Sequence, residues 1–386
     1  MNRAFIQRAM IAAAVTTAAV LPMSASADNY VSGLREVEGT KYPNSPWEGV
    51  APVTVKALRL DRWQEPRGFT DLLPYTMPAP DQEDAGTCLY MAHTGAVEWW
   101  LAKLNPSVSR ASDGPLDVSE RFTVNIAGVD QWTGTENWLT DTVNVFNRKH
   151  YAIRNSDYRY AKGWYSKDAN GRTIPATRST RGASYGTTYN WINGLDSIPS
   201  SATKIKLPKL QREILFADPA RNQWNTGIMP DSIVDRVKHA LKTNKAPVIA
   251  IYNHFGYWHA TMIVGYDENA SNGNCAFVNQ FLEHNLKQSR EANSQSQREI
   301  AKGVYDKTKR AFDRGGGCHK GVFYVRDSIY TDKKNPYDYD FNSGGTEGYY
   351  TEKLTLLEFD WLRTMGNHAY QITAKPVNPG NRSSEF

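Results

Sequence analysis

From Leu89 onward, apolar residues recur at Ala92, Ala96, Val97, Trp100, Leu101 and Leu104, the three-four spacing of one helical face, and Asn105-Pro106 ends the pattern. The spacing predicts a helix opened by Cys88. The stretch from Leu116 to Phe122 sets Ser119 and Glu120 ahead of apolar residues, a helix start, and Trp138, Val143 and Phe146 mark a further helix ending near Lys149. Ile233, Val237 and Leu241 share one face of a helix from Ser232 to Lys242. Short apolar runs at Pro247–Tyr252, His259–Tyr266, Ala276–Asn279 and Gly321–Arg326 read as strands, with a polar, partly helical surface excursion from Glu283 to Gly317 between the last two. Gly163 to Ser201, dense in Gly, Ser, Thr, Arg and Asn, reads as a long loop or insertion. Helices come first and strands later, an α+β order.

The ends of the chain follow other rules. Arg3 and Arg8 flank an apolar run from Ala9 to about Met23, and Ala25-Ser26-Ala27 has the small-residue spacing of a cleavage site, so residues 1–27 are expected to be a signal peptide for bacterial export, secreted or periplasmic. The run is short for a bilayer of about 30 Å. Residues 28–71 are expected to form an N-terminal arm without steady period, 72–375 the folded domain (helical half about 81–205, β half about 206–375), and 376–386 a tail. With 386 residues, 40% hydrophobic and 12% aromatic, the chain is long and apolar enough to bury a core. The formal charge of +5 loses two arginines with residues 1–27, which leaves too little to argue for nucleic acid.

Three cysteines remain: Cys88, Cys275 and Cys318. By itself Cys88 is as readily a small buried hydrophobe as a nucleophile. At a helix N-terminus, though, unpaired N–H groups and the macrodipole favour a thiolate. A thiolate nucleophile needs a base, a group to orient the base, and oxyanion donors. His259 heads an apolar strand and is preferred to His254, which reads as a loop residue. Asn279, at the end of the next strand, is placed to accept from the imidazole, and Gln82, six residues before Cys88 with Gly86 between, is placed to donate to an oxyanion beside the Cys88 N–H. Alone, an Asn at a strand end is a turn residue and a Gln a surface residue. Asp338 to Gly344 has the oxygen spacing that opens a calcium loop but lacks its glycine and glutamate, so it is read as a solvated turn, and neither metal nor cofactor is expected.

These residues resemble the papain-like cysteine peptidases. The resemblance is carried by Gln82, Cys88, His259-Ala260 with Val264-Gly265-Tyr266, and Asn279 with Phe281, supported by Glu98, the Leu116–Phe122 stretch and Asp157-Tyr158-Arg159-Tyr160. It runs from about Leu72 to Asp327. Ala85, Leu89 and Phe281 stand where the family carries a disulfide cysteine and two tryptophans, which points to a divergent bacterial branch. The resemblance implies a two-part fold, a helical half carrying Cys88 and a β-barrel-like half carrying His259 and Asn279, with the site in the cleft between. It implies peptide hydrolysis through a Cys88 acyl-enzyme, with Tyr257, Trp258 and Phe281 lining the cleft. The expected partners are a polypeptide substrate and proteinaceous inhibitors, with no nucleic acid, no membrane after signal removal, and a monomeric state. Two other readings fit the same cysteine and histidine: a cell-wall peptide amidase, and a catalytically silent papain-like binding module. Export favours a Cys275–Cys318 disulfide, but a hairpin of the strands bearing Asn279 and Val322 would hold the two apart, so the pairing stays open.

Overall fold

A computed structural model describes residues 67–77, 79–80, 88–111, 113–127, 138–160, 165–167, 173–175, 189–190, 198–217, 230–254, 257–270, 275–328, 338–340 and 353–374. Three helices come first, α1 (Cys88–Leu104), α2 (Glu120–Ala127) and α3 (Trp138–Lys149). The short strands β1 (Tyr151–Ile153), β2 (Tyr165–Lys167), β3 (Thr173–Pro175), β4 (Tyr189–Asn190) and β5 (Lys204–Lys206) follow. The second half holds β6 (Leu210–Ala217), α4 (Ile233–Asn244), β7 (Val248–His254), β8 (Tyr257–Asp267), α5 (Ala276–Glu291), α6 (Gln295–Arg314), β9 (Val322–Arg326), β10 (Asp338–Asp340), β11 (Lys353–Glu358), α7 (Phe359–Met365) and β12 (Gly366–Ala374).

Seven strands form one antiparallel sheet in the order β10-β11-β9-β8-β7-β12-β6. Strands β7 and β9 are buried along their whole length, which is why both read as continuous apolar runs without alternation. Helix α1 packs on β8, β12 and β7, and on its other sides meets α2 and the short turn Leu73–Tyr75. Mixed helix and sheet is therefore observed, but not helices first and strands later: α4, α5, α6 and α7 all lie among the strands of the second half.

Helix α1 departs from the one-faced pattern. Every residue from Cys88 to Ala102 is buried, and Leu104, assigned to the apolar face, is 56% exposed. A helix enclosed on all sides must satisfy its polar groups internally. Thr94 hydrogen-bonds Thr123 at 2.7 Å, His93 Nε2 meets the Tyr370 hydroxyl at 2.6 Å, and the Trp99 and Trp100 indoles donate to the Leu72 and Ile372 carbonyls.

Four expectations are corrected. Ala276–Asn279 is not a strand but the first turn of α5. Phe277, Phe281, Asn285 and Gln288 all lie on its buried side, and the Glu358 carboxylate accepts from the Val278 N–H in the first turn. The excursion is two packed helices, α5 and α6, the second opened by a capping box between Ser294 and Gln297. Within the 163–201 stretch, β2, β3 and β4 form a three-stranded sheet. Asp338–Asp340, read as part of a turn, is β10, paired with β11; the rest of that loop lies outside the described residues.

Cys275 and Cys318 are bridged, with Cα atoms 5.7 Å apart. The objection to pairing required a strand at Asn279; with a helix there, Cys275 sits at the helix start and the distance closes. The expected leader, most of the arm and the tail lie outside the described residues. Among the described residues no helix is long and apolar enough to cross a membrane.

Candidate active site

Cys88 is the first residue of the 17-residue α1, fully buried, and is the free cysteine of the three. Its position gives the sulfur the positive end of a helix whose first N–H groups have no intrahelical acceptor. His259 lies on β8, also fully buried, in register with Tyr252 on β7. The Tyr252 ring stands edge-on to His259, with centroids 5.5 Å apart, and edge-on to Trp361. The imidazole is thus held in an aromatic wall.

His259 Nε2 lies 2.8 Å from Asp327 Oδ1, with both side chains fully buried. Nδ1 is left for Cys88: it makes no aligned hydrogen bond, yet the thiol is near enough to act on the ring. Burial alone would lower the imidazole pKa. The Asp327 charge, its hydrogen bond, and then the neighbouring Cys88 outweigh burial and bring His259 to about 10. A histidine held protonated between a carboxylate and a thiol can stabilise a thiolate and later give up its proton.

Asp327, not Asn279, is the residue hydrogen-bonded to His259 Nε2. Asn279 is an exposed residue of α5, whereas Asp327 directly follows β9, the neighbour of β8 in the sheet. Phe281 is likewise a core residue of α5, on the helix that the sequence read as a strand. The sequence carried half of the signal for Asp327, an acid directly after an apolar strand; that this strand adjoins the histidine strand comes from the sheet.

His254 is not in a loop but ends β7, where it is buried, with Nδ1 3.1 Å from the Tyr252 hydroxyl. Burial, followed by the charges of His259 and His284, holds its pKa well below the ordinary value, so it stays neutral. The two histidines, with ring centroids 6.1 Å apart, are therefore divided in charge by their surroundings. Gln82 lies outside the described residues. Tyr257 and Trp258 are placed on β8, opposite His254 and Asn253, but their side chains lie outside the described structure.

Two further polar clusters are present among the described residues. Glu98 on α1 pairs with Arg326 at the end of β9, Nη2 to Oε2 3.1 Å, and accepts from the Val118 N–H at 2.9 Å. Burial, and then the Asp117 charge, raise nearby Glu120 to about 8. The second cluster gathers Asp360, His319 and Arg363 around the disulfide, whose sulfurs are spent on each other.

No family model matches the chain, and no curated protein matches it. Solved structures similar to it include a procathepsin L2 proteinase from the larval midgut of Tenebrio molitor, 14% identical with a TM-score of 0.36, covering 96% of this chain and 88% of the other. Another comes from work on the mite allergens Blo t 1 and Der p 1, 11% identical with a TM-score of 0.37, covering 96% and 94%. A third is the proform of the ragweed pollen cysteine protease Amb a 11, 11% identical with a TM-score of 0.37, covering 90% and 75%. At TM-scores below 0.5 these likenesses carry no argument, and the chemistry rests on Cys88, His259 and Asp327 themselves.

Proposed function

We propose that this chain is an exported cysteine peptidase that hydrolyses peptide bonds with Cys88 as nucleophile, His259 as acid and base, and Asp327 as the group that orients and charges His259. The observation that supports it is the buried line from a helix-terminal thiol through a protonated imidazole to a carboxylate. The Cys88 thiolate attacks the scissile carbonyl carbon; a C–S bond forms and the carbonyl oxygen becomes an oxyanion, facing the Cys88 N–H and, as the sequence suggests, the Gln82 amide. The His259 imidazolium then gives its proton to the leaving amine as the C–N bond breaks. Neutral His259 next takes a proton from water, which attacks the thioester; the C–S bond breaks, the acid leaves and the imidazolium is restored. Tyr257 and Trp258, next to His259 in sequence, would form an aromatic wall that favours apolar or aromatic substrate side chains. The enzyme acts as a monomer, is open to proteinaceous inhibitors, and uses its own side chains without a cofactor.

The test is labelling with an epoxide inhibitor and hydrolysis of casein beside muropeptides, for wild type and Cys88→Ala. Labelling of Cys88 with casein cleavage supports the peptidase. Muropeptide cleavage alone would move the chain to the cell-wall amidases, and an inert Cys88 would leave only a binding module.

A further inference from the structure

The side chain and backbone of Arg326 join the segments that carry all three site residues. It is buried at the end of β9, peptide-bonded to Asp327. Its Nε donates to the Met77 carbonyl at 2.9 Å, its Nη1 to the Met91 carbonyl at 3.3 Å, and its Nη2 to Glu98 at 3.1 Å. Its own carbonyl accepts from the Thr261 hydroxyl at 2.8 Å, two residues along β8 from His259. One guanidinium therefore ties α1 at Met91 and at Glu98, three and ten residues from Cys88, and the segment leading toward Cys88, to the backbone that holds Asp327. Gly95 makes the crossing possible: a Cβ there would lie 2.3 Å from Arg326 Nη1.

We infer that Arg326 and Glu98 are positioning residues that set the His259–Asp327 pair against Cys88 across the two halves of the fold. The inference rests on the peptidase reading for its purpose. Its geometry does not, because α1 and the β8–β9 pair meet here through a planar fork that a lysine cannot reproduce. A shift of about 1 Å between nucleophile and base is enough to cost a large factor in rate.

The experiment compares wild type with Arg326→Lys, Glu98→Gln and Gly95→Ala. It reads kcat and KM for a peptide, the rate of Cys88 alkylation by iodoacetamide against pH, and the thermal midpoint. Arg326→Lys keeps the charge and loses the fork, so kcat is expected to fall tenfold or more with KM little changed, and the pH profile of alkylation to move toward that of Asp327→Asn. Gly95→Ala displaces the guanidinium without altering any charge and should do the same. If Arg326→Lys fails to fold, Glu98→Gln, which keeps one of two acceptor oxygens, carries the same readouts. Folded variants with wild-type kcat and an unmoved alkylation profile, or with a lowered thermal midpoint alone, overturn the inference. Alkylation needs only the thiol and the imidazole, so a wild type that reacts with iodoacetamide but cleaves no peptide would sink the peptidase reading while still testing the positioning.

Discussion

Replacing Asp327 separates charge from orientation at the candidate site. The rise of His259 from 6.5 to about 10 is worth roughly 5 kcal/mol in favour of the protonated ring, at about 1.4 kcal/mol per pH unit. Most of it is owed to Asp327, since burial acts the other way and the Cys88 contributions rank below both Asp327 effects. Asp327→Asn keeps an acceptor oxygen for Nε2 and removes the charge, so the imidazole should lose its proton at a much lower pH. The basic limb of kcat/KM is expected to fall from near 10 to below about 8, with kcat at pH 6 within about tenfold of wild type. Asp327→Ala removes the acceptor as well and should cost about 10²–10³ in kcat at every pH, because the ring is free to turn. The folded pKa is raised, so the His259 contribution to stability is full below pH 6.5 and is lost as pH rises toward about 10. Denaturation of Cys88→Ala and of Cys88→Ala/Asp327→Asn across pH 6–10 reads that slope without catalysis, and the second should be the flatter. An unmoved basic limb in Asp327→Asn, or an Asn279→Ala enzyme as damaged as Asp327→Ala, would refute the assignment.

Cys88→Ala should abolish hydrolysis and His259→Ala nearly so, while Gln82→Ala, which removes one of two oxyanion donors, should cost on the order of 10²–10³ in kcat in a steady-state assay. His254→Ala is expected to leave the pH profile of Cys88 alkylation unchanged and to lower stability by about 2–3 kcal/mol, because its ring is packed against Tyr252 and Phe277; a dead enzyme with a wild-type melting curve would reverse the roles of the two histidines. Unfolding without reductant should expose one alkylatable thiol, with three after reduction. Closing a loop of 43 residues makes the Cys275–Cys318 bridge worth up to about 4 kcal/mol, which urea unfolding of Cys318→Ser measures. Trp258→Ala should broaden side-chain preference in a peptide library, and an unchanged preference removes Trp258 from the cleft.

Local pattern determined more of this protein than its site. The start of α1 at Cys88, the helix carrying Ile233, Val237 and Leu241, and the strands around Val248–His254, His259–Tyr266 and Val322–Arg326 follow from periodicity and length, because burial of one face or of a whole strand dictates residue type at each position. Ala276–Asn279 misled because four apolar-rich residues satisfy either period, and the Glu358 carboxylate that accepts from this helix's first turn comes from 80 positions away. The third member of the site went with it: Asn279 and Asp327 are both polar residues after an apolar run, and which one reaches His259 depends on strand order. Only the sheet, by placing β9 beside β8, brings Asp327 to Nε2 from 68 residues away. The same holds for Glu98 and Arg326, and for the choice between His254 and His259, since the pKa of each histidine is set by neighbours distant in sequence and near in space.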